Sequence, residues 1–574
     1  MHSFRKTAFA MAMICALALI VTVGTASAQE AVDVSQQVDG YKRVAPQLAT
    51  QGLSVEQQLA QQRELHSWLS REIPASALAN PLTIQLTSEE LAQINEGPAG
   101  GPQRVGVVKR LSQPVQVACD SAKGSRAARC SGDGTLEFTE DGGFVWSRTI
   151  QSVGAAGIRA HLVDISIPSG AELFFYSPNG EAYGPFVDAG PHGDGELWLP
   201  SVMADTGVLV VKHHGPNGRE DLPAMTMTLT DVGHIDSGIF DVPVTTEGNN
   251  DLCPYNDSCV QNQTCQNSGP AAPAENAAAK MLWVSGCCLN ICSGGLIADT
   301  DNSSEIPYFL TANHCMSRGR DARNMEAFFQ YEMSCGGTCP AGSFNPAPVS
   351  TKTLGASIRA TGSSGDYTLL ELDEAPPAGS TFLGWNNSPI AFSQGAALHR
   401  IHHPSGAPQS YSEHAVDTNI GTCQGVARGA YIYSDDVFGA TEGGSSGSPV
   451  VNSSGEIVGQ LLGCCPAGGG NCNDVCNSNN HTLDGAFAHY YSNVASFLDN
   501  GGGTCSTTPT DCSDGVDNDC DGATDCSDTN GAEDCSNDPA CSGGTCANLG
   551  DSCSVNSDCC SNKCKGSPSN KTCK

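Results

Sequence analysis

The chain has 574 residues, with 61 acidic against 28 basic side chains and a net charge of −33. That balance excludes DNA, RNA and anionic membranes as electrostatic partners, because each would be repelled. The length suits several domains of about 150 residues, each large enough to bury a core.

The opening MHSFRKTAFAMAMICALALIVTVGTASAQE sets basic Arg5 and Lys6 before an apolar run from about Ala8 to Val23, then small residues Ala26 and Ala28. This is the pattern of a secretion signal over residues 1–28. No later run approaches the ~18 apolar residues of a membrane span, so none is expected. Of 29 cysteines, Cys15 lies in the signal, two are Cys119 and Cys130, fourteen run from Cys253 to Cys476, and twelve from Cys505 to Cys573. Even counts in each block predict disulfides closed within separate domains of an exported protein.

Residues 29–104 are rich in Ala, Gln, Leu and Glu, and read as a helical pro-segment. Thr87 followed by Glu90 is a capping box that opens a short helix through Ile94. Over 105–245, alternating segments such as GFVWSRTI, IRAHLVDISI, AELFFYS and GVLVVKHH are separated by SPNG, PSG and GPNG turns. They predict a β-sandwich or small barrel, serving either as a propeptide that covers a site or as an independent binding module. Residues 246–500 resume with LWVSGCCLNICSGGLIA, continue as short strands between Gly/Pro/Asn turns, and end in SNVASFLD, where Val494, Phe497 and Leu498 fit a closing helix.

Within this region TEGGSSGSPVV, Thr441 to Val451, has the composition of a nucleophile loop. Glycines at 443, 444 and 447 allow backbone N–H groups to turn toward a developing oxyanion; the alternative is a Gly/Ser surface turn. Upstream, YFLTANHCM presents His314 at a strand end beside Cys315, and GDYTLLELD places Asp366 before an alternating strand. Taken singly, these are an incidental histidine and a turn aspartate. Together with a serine they supply an alcohol, an imidazole base and an orienting carboxylate, the parts of nucleophilic acyl transfer.

CSGGLI, LTANHC, GDYTLLEL and GGSSGSPV, in that order, resemble the chymotrypsin-like serine peptidases, and GSSGSP with IHHPSG and IVGQLLG resembles the bacterial lysyl endopeptidase branch. The resemblance covers about residues 250–500. It implies Ser446 as nucleophile, His314 as general base then acid, Asp366 as orienting carboxylate, and the N–H groups of Gly444 and Ser446 as the oxyanion hole. A Cys292–Cys315 disulfide is implied likewise. Where the trypsin pattern has aspartate before the nucleophile, this chain has Ser445. The ion pair made there by a new N-terminus is therefore unavailable, and activation by removal of a covering pro-region is expected instead.

The trypsin specificity carboxylate lies six residues before the nucleophile, a position held here by Ala440. The lysyl branch implies an aspartate before a later strand glycine, which DGAF supplies as Asp484; the plain reading is a turn Asp-Gly. If Asp484 faces the pocket, it would pair with a lysine ammonium of the substrate. Leu462 and Gly463 of IVGQLLG would supply backbone to an extended substrate. Against strict basic specificity, no Lys or Arg occurs between Arg219 and Lys280, where the pro/mature junction is expected.

In the acidic Cys-rich stretch 501–544, Asp517, Asp519, Asp521, Gly522, Asp525 and Asp528 take positions 1, 3, 5, 6, 9 and 12 of an EF-hand-type loop. Calcium is expected there, although no flanking helices are evident; no cofactor is expected for catalysis. Residues 545–574 hold six cysteines whose spacing resembles knottin-like miniproteins and carry Lys563, Lys565, Lys571 and Lys574. Attachment to a surface or substrate is expected of this module, with the connectivity open.

The reading is mainly β: a chymotrypsin-like double β-barrel preceded by a β-sandwich-like pro-region and followed by small disulfide-rich modules. A secreted, monomeric serine endopeptidase acting on proteins or peptides is expected. The rivals are an inactive protease-fold adhesion or binding protein, and a serine esterase.

Overall fold

Short runs of β-branched and aromatic residues between Gly, Pro and Asn turns fold as strands in both large regions of the chain. The computed structural model describes residues 35–38, 40–97, 100–120, 128–237, 252–337, 339, 350–423, 425–499, 564–567 and 570–573. The Asp517–Asp528 loop lies outside them, and of the six-cysteine module only a hairpin, Cys564–Ser567 with Asn570–Cys573, lies within.

Residues 29–104 differ from the helical expectation. Strand β1, Tyr41–Val44, follows Ser35–Val38 as a hairpin and pairs onward with Trp385–Asn386, so this stretch belongs to the sheet of the later domain. Helix α1, Val55–Glu72, starts from a capping box of Ser54 and Gln57. Its Leu69, with Ile73 at its C-terminal cap, packs on Phe174, Tyr176, Val208 and Val210 of the sandwich, and each such buried side chain contributes about 1.5–3 kcal/mol. The Thr87–Glu90 capping box opens a short helix at Ser88–Ala92, continued as a tighter turn over Gln93–Glu96.

Two sheets face each other across Phe144, Trp146, Ile158, Leu162, Leu209 and Leu229, giving the β-sandwich read from the alternating pattern. One sheet does not stop at the domain edge. Strand β2, Gln103–Asp120, pairs with Thr226–Asp236 on one side and, antiparallel, with β3, Cys288–Leu296, on the other. A 12-stranded sheet thus runs through both regions.

The junction is polar and buried. Glu326 accepts Lys352 Nζ (2.7 Å) and the Ser201 N–H (2.8 Å), Arg159 Nε lies 3.9 Å from it, and Lys352 also donates to Ser201 O (2.6 Å). Arg159 and Ser201 come from the sandwich, and Glu326 and Lys352 from the later region. Full burial raises the cost of parting such charges, because each would lose its partner.

In that later region, β4, Tyr308–Thr311, pairs with β3 and with β5, Tyr367–Leu372, in the first barrel. The second barrel is closed. Strands β6 (Ala397–His402), β7 (Pro449–Asn452), β8 (Ile457–Cys465) and β9 (His481–Ala486), with Ser410–Val416 and Tyr431–Phe438, form an unbroken ring. Helix α2, Phe487–Leu498, closes the domain with Val494, Phe497 and Leu498 buried, and stacks Tyr490 on Tyr367 at 4.2 Å. Eight disulfides join described residues, seven of them between Cys253 and Cys476. Among the described residues, no helix is long and apolar enough to cross a membrane.

Candidate active site

His314 stands just past the end of β4, where Asn313 N–H bonds to Asp366 O (3.0 Å) and the Cys292–Cys315 disulfide ties its loop to β3. Asp366 holds it in two ways. Oδ1 accepts the His314 backbone N–H (2.9 Å), and Oδ2 lies 2.7 Å from Nδ1. Nδ1 thus carries the proton toward the carboxylate, leaving Nε2 as the face that can take one.

Asp366 has a left-handed backbone, φ 50°, a conformation few side chains other than Asn and Asp accept readily. Its neighbours hold it there. Gln460 of β8 donates to the carbonyls of Gly365 and Asp366 (2.8 Å each), and Tyr490 of α2 donates to Gln460 Oε1. Tyr431 accepts the Gly365 N–H (3.1 Å) and donates to Ser363 O (2.9 Å). The second barrel therefore fixes a carboxylate carried by the first. Sequence reading took IVGQLLG for substrate backbone and missed Gln460, whose signal was a lone amide in an apolar run.

The Thr441–Val451 loop packs against the same strands. Ser293 N–H bonds to Ser446 O (2.8 Å), and Thr311 donates to Ser293 O (2.9 Å). A Cβ on Gly447 would meet Thr311 Oγ1 at 2.2 Å and Ala312 N at 2.9 Å, so only glycine allows the approach. Ser446 is thereby brought beside the segment that ends in His314. No hydrogen bond joins Ser446 Oγ to His314 among the described residues; such contacts are often long before substrate binds.

The two N–H groups expected as oxyanion donors, Gly444 and Ser446, are aimed by the carbonyls that share their peptide units. In a trans peptide, N–H and C=O point in opposite directions. Gly443 O is held by the Ser405 N–H (2.6 Å), and Ser445 O by the Ser448 N–H (3.1 Å). The Gly444 and Ser446 N–H groups therefore point away from those anchors. Gly444 has φ 88°, and a Cβ there would lie 2.9 Å from His403 O and 3.1 Å from Ser405 N. Gly444→Ala is expected to turn this peptide and lower kcat about 10²- to 10³-fold, as loss of one oxyanion donor does. Steady-state kinetics on active-site-titrated enzyme checks it.

Two pocket expectations are corrected. Asp484 is fully buried inside the second barrel, with Oδ1 bonded to Arg400 Nη2 at 2.8 Å. It points inward because successive residues of β9 alternate, and Thr482 and Ala486 share its face. A carboxylate already paired with a guanidinium is not free to bind a substrate cation. Ala440 is likewise buried, in a cluster with Leu252, Val260, Met333 and Ala407. Leu462 falls at a bulge, since Leu461 pairs with Asp484 and Gly463 with Leu483, leaving its own backbone outside that ladder.

Residues 253–485 match a family described as lysyl endopeptidase, C-terminal domain. Over 247 residues the chain is 30% identical to lysyl endopeptidase of Pseudomonas aeruginosa, covering 42% of this chain. The chain spans about half, 52%, of that curated relative's length. Among solved structures, the HtrA-type protease AlgW with a decapeptide aligns at TM-score 0.28 and 16% identity, over 41% of this chain and 68% of that one. The Rv3671c protease of M. tuberculosis in its active form aligns at TM-score 0.27 and 12% identity, over 42% and 90%. These structural likenesses are too weak to carry weight beside the sequence match.

Proposed function

We propose that the double-barrel region is a serine endopeptidase in which Ser446 attacks the peptide carbonyl, His314 relays the proton, and Asp366 orients the imidazole. The observation that carries this reading is the double hold of Asp366 on His314, at the strand end against which the glycine-rich serine loop packs. Serine is a weak nucleophile until a base takes its proton. The tetrahedral oxygen would be received by the Gly444 and Ser446 N–H groups, and His314 would return the proton to the leaving amine.

The N-terminal sandwich is read as a pro-region. Antiparallel pairing of Gln103 with Ile291 and of Arg104 with Asn290 carries β2 along β3 toward the serine loop. A Cβ built on Gly443 would lie 2.7 Å from Gln103 Oε1. Export is read from the N-terminal signal pattern and the disulfides. Calcium in the Asp517–Asp528 loop and attachment through the six-cysteine module stand on the sequence alone. Cleavage after lysine or arginine stands on the likeness to lysyl endopeptidase, without Asp484 as the recognising group.

The test is a serine-directed fluorophosphonate combined with mass spectrometry of cut sites in a mixed peptide library. A covalent adduct on Ser446 and endoproteolytic cuts after basic residues are expected, with labelling faster once the sandwich is cleaved away. No adduct in either form would leave an inactive binding protein, and an adduct with ester but no peptide turnover would leave an esterase.

A further inference from the structure

Beneath the serine loop, the inner face of β6 carries Leu398, Arg400 and His402 in alternation, all fully buried. His402 Nδ1 lies 2.8 Å from Ser445 Oγ, and the same Oγ accepts the Glu442 N–H at 3.2 Å. Ser445 is itself fully buried, and its N–H returns to Glu442 O at 3.0 Å. The turn from Glu442 to Ser445 contains Gly444 and precedes Ser446; its carbonyls at Gly443 and Gly444 are held by the Ser405 N–H (2.6 Å) and Ser293 Oγ (2.8 Å), and among the described residues the Ser445 hydroxyl, which closes the turn on Glu442, reaches outside the loop only through His402.

We propose that His402 is a positioning residue for peptide hydrolysis, holding the oxyanion-forming turn in its working shape through Ser445. The inference rests on the peptidase reading above. A hydroxyl and an imidazole stand where an ion pair would otherwise be needed, so the turn is held within the folded domain and requires no newly formed N-terminus. Burial, and after it the Arg400 charge, with smaller contributions from His414 and His403, hold the His402 imidazole well below its ordinary range. The ring therefore stays neutral and can accept the Ser445 hydroxyl proton through Nδ1. His402 Nε2 has no partner among the described residues, so Ser445 is the contact through which this ring acts.

The experiment uses the purified secreted protein and four variants: Ser445→Ala, His402→Leu, their combination, and His402→Asn, which sets an amide near the place of Nδ1. kcat and KM are measured per active site counted by burst titration, together with the rate of fluorophosphonate labelling at Ser446. Ser445→Ala and His402→Leu are each expected to lower kcat and the labelling rate about 10- to 100-fold, the effect of losing a buried hydrogen bond, with KM within about twofold. The double variant is expected to be no worse than the poorer single one, because the two act as a unit. His402→Asn should recover most of the loss. Unchanged kcat per titrated site in Ser445→Ala or His402→Leu would overturn the proposal, as would losses that multiply in the double variant, or an Asn variant no better than Leu. A wild-type protein that neither labels nor cuts any peptide would overturn the peptidase reading, and this inference with it. An active wild type beside indifferent variants overturns the positioning role alone.

Discussion

Asp366→Asn is expected to lower kcat about 10⁴-fold while leaving KM nearly unchanged. The carboxylate accepts two N–H groups of His314, one from the backbone and one from the ring. An amide has one oxygen for these two donors. Its NH2 would face either the backbone N–H, which disrupts the anchor, or Nδ1, which must then act as acceptor. In the second case the ring proton moves to Nε2, and the imidazole can no longer take the Ser446 proton. The main chain should hold its place, since Gln460 and Tyr431 grip carbonyls and an N–H that the substitution does not touch. Kinetics on titrated enzyme decide it; a loss under tenfold would mean that Asp366 does not orient the base.

The second large effect concerns stability. Arg400→Met should destabilise the protein by about 3–5 kcal/mol, because Asp484 would be left as an unpaired charge in the barrel interior. Both side chains are fully buried, and the guanidinium also reaches His414 Nε2 at 3.3 Å. For a domain of this size, that is a fall in melting temperature of roughly 6–20 °C. Replacing both partners by apolar residues, Arg400→Met with Asp484→Leu, should restore most of the loss, since the desolvation cost disappears along with the attraction. Thermal unfolding followed by circular dichroism reads both. A single variant that melts within a degree or two of the parent contradicts the buried pair. Cleavage preference in the double variant should match the parent, because the Asp484 carboxylate is buried against Arg400 inside the barrel.

The candidate catalytic groups stand out in the sequence for a local reason. Each sits at the end of a short apolar strand beside a turn, so its chemistry and its punctuation are adjacent: LTANHC for His314, GDYTLL for Asp366, GGSSGSP for Ser446. The Thr87 capping box and the final helix were legible likewise, since propensity and periodicity act over one or two turns. What escaped was contact between distant segments. Asp484 looked free because Arg400 lies 84 residues away. The sequence around Tyr41 shows nothing of its partners at Trp385–Asn386, although Lys42 N–H also bonds Asn387 Oδ1 across 345 residues. Gln460 and His402 act through loops that pattern alone does not bring near them. The sandwich was foreseen, but its fusion into one sheet with the barrel was not, because a strand edge is open or occupied only according to what folds beside it.

That fusion bears on the proposed pro-region role of the sandwich. Extended peptides bind proteins by adding to an exposed strand edge, and β2 already fills the edge of β3 at Ile291 and Asn290. A segment tethered within the same chain competes at an effective concentration on the order of millimolar, however dilute the protein. One cut in the connecting chain would end that advantage: the sandwich would become an ordinary ligand, and its hold on the edge would fade with dilution.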